Sequence, residues 1–499
     1  MIEMTLREIA EVVGGTLHDV ADPEVRVTGA AEFDSRRVGA GDLFLALPGE
    51  RADGHDYAQA AVDAGATAVL AARPVGVPAV VVAPSPGTVP AGALAVAHDP
   101  DGSGAAVLAA LGALARHSVE ALTAASGLEV VGVTGSSGKT STKDLLAAVL
   151  APLGSVIAPP GSFNNELGHP WTALRAGAGT RFLVLELSAR GPGHIAALAR
   201  VAPPRVGVVL NVGTAHLGEF GSREAIAQTK GELVEALPET GLAVLNADDP
   251  QVAAMAERTK ARVVTFGHAE NADFRASEVM LDDEARASFT LHTPGGSAPV
   301  RLAVHGEHQV GNALAAAAVA TEFGADPQTV AAALSGAKAA SARRMDVRTT
   351  AAGVTVINDS YNANPDSMRA ALKALVTMSR AADTPRRSWA VLGEMAELGE
   401  DSVVEHDAIG RLAVRLDVDR LVVVGTGRPS RGMHQGAVME GSWGEESVLV
   451  PDIDAALTLL DAEVEPGDVV LVKASQSVGL WRVAEHLTRA AGSDTEAAQ

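Results

Sequence analysis

Apolar residues come in short runs, each followed by a stretch whose apolar positions fall three and four apart. Residues 129–133, 181–187, 205–210 and 242–245 are such runs, with helical spacing between them. Strands alternating with helices predict a parallel sheet joined by right-handed crossovers. The alternation returns at 354–357, 389–392, 420–424, 448–450 and 469–472, predicting a second doubly wound unit. Between the two, residues 274–304 switch to short alternating runs, expected as a small antiparallel patch. Helices at 309–322 and 327–334 close the middle part. The chain opens on Thr5-Leu6-Arg7-Glu8, a capping box, and a short helix that stops at Gly14-Gly15. A helix at 58–64 and short strands at 79–83 and 93–96 complete a small α/β unit, and an apolar helical run at 105–122 leads onward.

This pattern predicts an α/β protein of three domains. A small N-terminal α/β domain spans 1–100, a central parallel-sheet domain 101–340, and a C-terminal Rossmann-like doubly wound domain 341–490. Residues 491–499 are expected to be a disordered tail. The 499 residues, 47% of them apolar, suffice for several cores. The chain has no cysteine, which excludes disulfides and thiolate chemistry and fits a reducing cytoplasm. One uncharged stretch, 74–97, raises the membrane question. Pro78, Pro84, Pro86 and Pro90 interrupt it, so short buried strands are expected there and no membrane insertion. A net charge of −22 argues against a nucleic-acid partner. It leaves an anionic small substrate open, because a lysine about 4 Å from a phosphate is worth roughly 4 kcal/mol at an effective dielectric near 20.

The most informative stretch is 132–140, Gly-Val-Thr-Gly-Ser-Ser-Gly-Lys-Thr, which follows an apolar run and precedes a helical pattern. That is the strand, glycine-rich turn, helix order of a phosphate-binding loop: Thr134, Gly135, Ser136, Ser137 and Gly138 surround the polyphosphate, Lys139 reaches its terminal phosphates, and the Thr140 hydroxyl can bind Mg²⁺. In open parallel sheets, ligands collect beyond the carboxyl ends of strands. Glu186, His216 and Lys230 fall at or just after such ends. Singly, each has an ordinary explanation: a helix cap, a loop histidine, and a lysine on a wet helix face two positions before Glu232. Spacing alone leaves a nucleotide-binding α/β protein with Glu186 as one Mg²⁺ ligand.

The order of motifs resembles the Mur ligases, ATP-dependent enzymes that build the peptide of bacterial cell-wall precursors. Its Gly-x-x-Gly-x-x-Gly-Lys-Thr spacing, with Val133 where the commoner loop has glycine, is that family's form. Other carriers are Asp34-Ser35-Arg36, Asn164-Asn165-Glu166-Leu167-Gly168, Ala215-His216-Leu217, Lys230-Gly231-Glu232, Asn246-Ala247-Asp248-Asp249, Asn312-Ala313-Leu314-Ala315, Arg344-Met345, Asp359-Ser360-Tyr361-Asn362-Ala363-Asn364-Pro365 and Lys473-Ala474-Ser475. The Asn-Asn-Glu-x-Gly and Asp-Ser-Tyr-Asn-Ala-Asn-Pro strings favour the member that adds D-alanyl-D-alanine to UDP-N-acetylmuramoyl-tripeptide. The resemblance implies ATP held by the loop, and two Mg²⁺ ions, one on Thr140 and Glu186 and one on His216. It implies a carbamylated Lys230 beside the metals, Asn312 at adenine, and Arg344 and Asp359 clamping phosphate and ribose from the third domain. Ser35 and Arg36 are then expected at the uridine diphosphate end, with Asn164, Asn165, Glu166, Tyr361 and Asn362 on the substrate side, in a cytoplasmic monomer.

Three positions depart from the family's pattern: Gln309 stands where asparagine is usual, and Ala474 and Gln476 replace a glycine and an arginine. The last leaves open how the acceptor's carboxylate is held. A same-family ligase with another acceptor, a folylpolyglutamate synthase-like enzyme and a non-catalytic nucleotide-gated binder are the alternatives.

Overall fold

The computed structural model of the chain describes residues 1–49, 52–84, 99–213, 217–381, 385–441 and 446–490. The strand expected at 93–96, the tail at 491–499 and His216 lie outside them. The first 84 residues carry β1 (Met4–Thr5), β2 (Thr16–His18), β3 (Arg26–Val27), β4 (Ala31–Glu32), β5 (Leu43–Leu45), β6 (Ala68–Ala71) and β7 (Ala79–Val81). Strands β1 and β3 pair alone, while the others form a five-stranded sheet in the order β2-β7-β6-β5-β4. The capping box is formed: the Thr5 hydroxyl accepts from Glu8 N and the Glu8 carboxylate from Thr5 N, and the helix Leu6–Val13 ends on Gly14 at φ 64°.

The central sheet holds β8 (Glu129–Thr134), β9 (Val156–Ile157), β10 (Phe182–Glu186), β11 (Val206–Val209), β12 (Leu242–Asn246), β13 (Arg262–Gly267), β14 (Phe274–Leu281), β15 (Arg286–Thr293) and β16 (Gly296–His305). Its order is β16-β15-β14-β13-β12-β11-β8-β10-β9. The antiparallel strands expected at 274–304 are present as β14–β16, and they extend the parallel sheet. β14 joins β13 in parallel register at Phe266↔Phe274, and the helix Gln309–Glu322 covers both phenylalanines in one core. Because β10 and β11 lie on opposite sides of β8, the connections leaving their carboxyl ends diverge and open a crevice above β8.

The third sheet contains β17 (Asp346–Thr349), β18 (Thr355–Asn358), β19 (Ser388–Leu392), β20 (Arg420–Val424), β21 (Ser447–Val450) and β22 (Val469–Lys473), in the order β17-β18-β22-β19-β20-β21. All its pairs are parallel except the edge pair β17–β18. As expected from the sequence, Asn364 caps and Pro365 opens the helix Pro365–Arg380.

Among the described residues, one helix, Ser103–Ser126, is long and apolar enough to cross a membrane. It is mostly buried: Val107, Leu111, Leu114 and Leu122 pack in one cluster with Leu43 and Leu70 of the first sheet and with Val130 and Leu183 of the second. The helix cements the first two sheets, so its apolar surface faces protein on both sides.

Candidate active site

The turn after β8 leads into the helix Lys139–Leu150 with Gly138 at φ 83° as its N-cap. Only glycine fits there. The φ disfavours a side chain, and a Cβ would stand 2.8 Å from Asn312 Oδ1. The first N–H groups of a helix have no intrahelical acceptor, so this end faces the crevice with free donors and a partial positive charge. The loop's shape is held from beside it. Ser136 N donates to Asn211 O (3.1 Å), Ser137 N to Asn211 Oδ1 (3.0 Å), and Gly213 N to Ser136 Oγ (2.9 Å). The Thr134 hydroxyl donates to Leu187 O at 2.9 Å, locking β8 to the end of β10.

Glu186, at the carboxyl end of β10, is fully buried beneath the loop. Its Oε2 accepts from the Thr140 hydroxyl (3.3 Å), the Ser162 hydroxyl (3.2 Å) and Asn164 Nδ2 (3.3 Å). Its Oε1 has no hydrogen-bond partner among the described residues. A buried carboxylate oxygen without a donor is costly, and a bound cation or an ordered water would remove the cost. Lys139 folds back to donate to Gly135 O at 2.7 Å. Burial lowers its ammonium to about 8, opposed by the charge of Glu186 and assisted by Arg344. Lys230 is not on a wet face: the helix Arg223–Glu235 buries it, and burial first, then Lys139, drive its pKa well below the usual lysine range. The nearby Glu232 turns the other way and accepts from Gly193 N and Ala196 N, capping the helix His194–Val201.

The third domain closes over this end. Arg344 Nη2 lies 3.3 Å from Thr140 Oγ1, and its guanidinium stacks on Tyr361 at 4.3 Å. The turn presenting it is strained, with Arg343 at φ 60° and Met345 at φ 49°. Asp359 pins that turn, its Oδ1 accepting from Met345 N (3.1 Å) and its Oδ2 from Lys473 Nζ (2.6 Å). Both carboxylate oxygens of Asp359 are thus engaged inside the third domain. Further ties are Asn364 Nδ2 to Ser136 O (3.4 Å) and Arg190 Nη2 to Glu397 Oε1 (2.7 Å).

A cleft of about 670 Å³ results, lined by Ser136–Ser141, Ser162–Leu167, Arg190, Arg344, Tyr361–Asn364, Glu397 and Ser475–Ser477 among others. It brings together Lys139, Thr140, Asn164, Asn165, Glu166, Arg344, Tyr361 and Asn362 of the residues expected from the sequence. Asn312 sits against the loop and donates to Gln309 Oε1 at 2.9 Å, so the departure at 309 is absorbed within one helix. A second cavity of about 120 Å³ shares Ser141 and Arg344 with the cleft and is otherwise lined by Asp144, His305, Gln309, Lys338 and neighbours. Ser35 and Arg36 line neither. Arg36 is exposed and pairs with Asp34 at 2.8 Å, which holds that carboxyl down to about 2.

Sequence reasoning passed over several participants. Asn211 follows β11 and was findable by the strand-end argument that found Glu186. Ser162 and Ser188, which hold Glu186 and Asn164, lie in irregular segments with no spacing signal. Phe33, Phe163 and Trp171 cluster at centroid distances of 5.0–6.4 Å, and Trp171 Nε1 donates to Ala31 O, tying the first domain to the cleft floor.

Sequence comparison agrees with this architecture. The Mur ligase middle-domain model matches residues 133–320, the model described as Mur ligase, glutamate ligase domain matches 343–476, and the Mur ligase family catalytic-domain model matches 31–116. The chain belongs to the Mur ligase family. It is 62% identical over 502 residues to the UDP-N-acetylmuramoyl-tripeptide–D-alanyl-D-alanine ligase of Mycobacterium tuberculosis, covering 98% of both chains. To the Escherichia coli enzyme of that name it is 34% identical, over 98% of this chain and 99% of the other. Among solved structures it resembles MurF from Acinetobacter baumannii (TM-score 0.81, 30% identity, 98% and 99% coverage). It also resembles the MurF ligase from Thermotoga maritima in complex with ADP (TM-score 0.75, 31% identity, 93% and 98% coverage).

Proposed function

We infer that this chain performs the reaction for which its relatives are named: it adds D-alanyl-D-alanine to UDP-N-acetylmuramoyl-tripeptide at the expense of ATP, in peptidoglycan synthesis. The observation that carries the mechanism is the meeting of two domains at one hydroxyl. Arg344 of the third domain reaches Thr140 of the phosphate loop, beside Lys139 and above the buried carboxylate of Glu186.

A carboxylate is a poor electrophile toward an amine. Transfer of the γ-phosphoryl group of ATP to the tripeptide's terminal carboxylate gives an acyl phosphate, and the amine of D-alanyl-D-alanine displaces phosphate from it. Two anions meet in the first step, so positioned positive charge supplies most of the stabilisation. Lys139, Arg344 and the first N–H groups of the helix Lys139–Leu150 are the charges and dipoles this chain contributes. Thr140 and Glu186 suit a divalent cation, since Glu186 Oε1 is buried without a donor. A divalent cation held by Thr140 and Glu186 would supply positive charge to the bound triphosphate. A second ion at His216 and a carbamate on Lys230 belong to the same reading. The buried, deprotonation-prone amine of Lys230 is the form that can react with CO₂. The smaller cavity beside Gln309 suits the base end of the nucleotide, and Asn164, Asn165, Glu166, Tyr361 and Asn362 face the space left for the peptides. Closure over the cleft keeps water from the acyl phosphate. The reading carries a cytoplasmic location, because ATP and a UDP-linked peptide are too highly charged to cross a bilayer unaided.

Purified protein supplied with ATP, Mg²⁺ and the UDP-linked tripeptide is expected to release ADP in proportion to added D-alanyl-D-alanine. ADP release that ignores this dipeptide but follows a different amino acid would reassign the acceptor.

A further inference from the structure

Thr140, Lys143 and Asp144 lie at positions i, i+3 and i+4 of the helix that starts at the phosphate loop, so they share one face. Thr140 receives Arg344. The other two receive Ser341. Lys143 is almost fully buried; its ammonium donates to Pro159 O (3.0 Å) and Ser341 Oγ (3.0 Å) and pairs with Asp144. Asp144 in turn accepts from Ser341 N (3.1 Å) and from the Ser341 hydroxyl (3.2 Å). Four residues of helix rise about 6 Å, and the segment from Ser341 to Arg344 reaches at most about 11 Å. It is a strap pinned at both ends to one helical turn. The strained residues Arg343 and Met345 flank its Arg344 end, and such conformations persist only where the surroundings over-determine them.

We propose that Lys143, Asp144 and Ser341 are positioning residues: they hold the strap so that the Arg344 guanidinium stands over the nucleotide phosphates. The proposal rests on the reading of the cleft as a nucleotide site, and it adds an element that the catalytic groups do not themselves provide. Asp144 and Arg344 also line the smaller cavity, so the latch borders the space assigned to the base end of the nucleotide. Lys143 uses its three donors within the protein and makes none of its hydrogen bonds toward the cleft.

The test is a cycle of four full-length proteins: wild type, Ser341→Ala, Arg344→Met and the double variant. Each is read by its Kd for ADP with Mg²⁺ and by kcat for the ligation. Ser341→Ala is the mild cut, leaving the Lys143–Asp144 pair in place. Losing hydrogen bonds of this kind predicts about a three- to tenfold weaker Kd and a similar fall in kcat. In the Arg344→Met background the same cut is expected to do nothing further, because the residue it acts through is gone. Equal losses in both backgrounds, or no loss in the wild-type background, overturn the latch. Absence of ligation with normal ADP binding would refute the functional reading instead, and the cycle in Kd would still decide the latch.

Discussion

Glu186→Gln separates the role of the buried acid from its contribution to the fold. The substitution keeps the side chain's length and one oxygen for the donors from Thr140, Ser162 and Asn164. It removes the charge and places an amide where Oε1 has no partner. Without ligand the relief of a buried charge and the unsatisfied amide oppose each other, so the melting temperature should move little. With a divalent ion the balance changes. At an effective dielectric near 20, one unit charge about 4 Å from a divalent ion is worth roughly 8 kcal/mol. The remaining amide dipole and hydration recover more than half, which leaves a loss of about 3–4 kcal/mol, or roughly 100- to 1,000-fold in Mg²⁺-dependent nucleotide affinity. ADP at 100 times its Kd stabilises the wild type by about 2.7 kcal/mol, whereas the same concentration stabilises the variant by less than about 0.5 kcal/mol. Thermal melting with ADP, with and without Mg²⁺, reads this directly. If Glu186→Gln kept the full Mg²⁺-dependent gain, the cation would not sit at Glu186.

Lys139 gives a proton-linkage prediction. Its folded pKa of about 8 lies below that of the unfolded chain, so between the two values the empty folded protein binds fewer protons, and this group's contribution to stability rises with pH. Phosphates should restore the proton: at pH 9 nucleotide binding is expected to take up as much as ~0.9 proton by calorimetry in buffers of different ionisation enthalpy, and Lys139→Met should lose most of it. Asp359→Asn leaves the buried ammonium of Lys473 without its carboxylate and should cost about 3–5 kcal/mol. Burial already lowers the Lys473 pKa, so that loss should be present at neutral pH and shrink as pH rises and the ammonium deprotonates, seen as a pH-dependent gap in melting temperature. Gly138→Ala meets both a φ of 83° and the side-chain Oδ1 of Asn312 at 2.8 Å. It should abolish tight ADP binding by calorimetry while leaving the protein folded by circular dichroism.

Much of this architecture is legible in the sequence because parallel strands buried on both faces read as unbroken apolar runs, and these locate the strand ends. Glu186 follows directly from that rule, and so does Asn211 once the rule is applied to every strand. Lys230 shows its limit. Helical spacing tells which residues share a face, but not that the face is covered, and here it is buried beneath the phosphate loop's lysine. Glu232, two positions on, suggested a wet helix face, yet it caps a neighbouring helix. The antiparallel strands were legible as strands, but their merger with the parallel sheet rests on a two-residue pairing, Phe266↔Phe274 and Gly267↔Arg275, that leaves no periodic trace. The contacts between domains were the least legible, since Ser341, Asp144, Arg190 and Glu397 are ordinary polar residues until the fold brings them together.

Ligation by this route requires the tripeptide's carboxylate to be activated by accepting a phosphoryl group. Tripeptide labelled with ¹⁸O in its terminal carboxyl group, turned over with ATP and D-alanyl-D-alanine, tests this by mass analysis of the released inorganic phosphate. Inorganic phosphate carrying one carboxyl-derived ¹⁸O is the expected result. Unlabelled phosphate, with amide formed at the normal rate, would mean that the carboxylate never accepts the phosphoryl group.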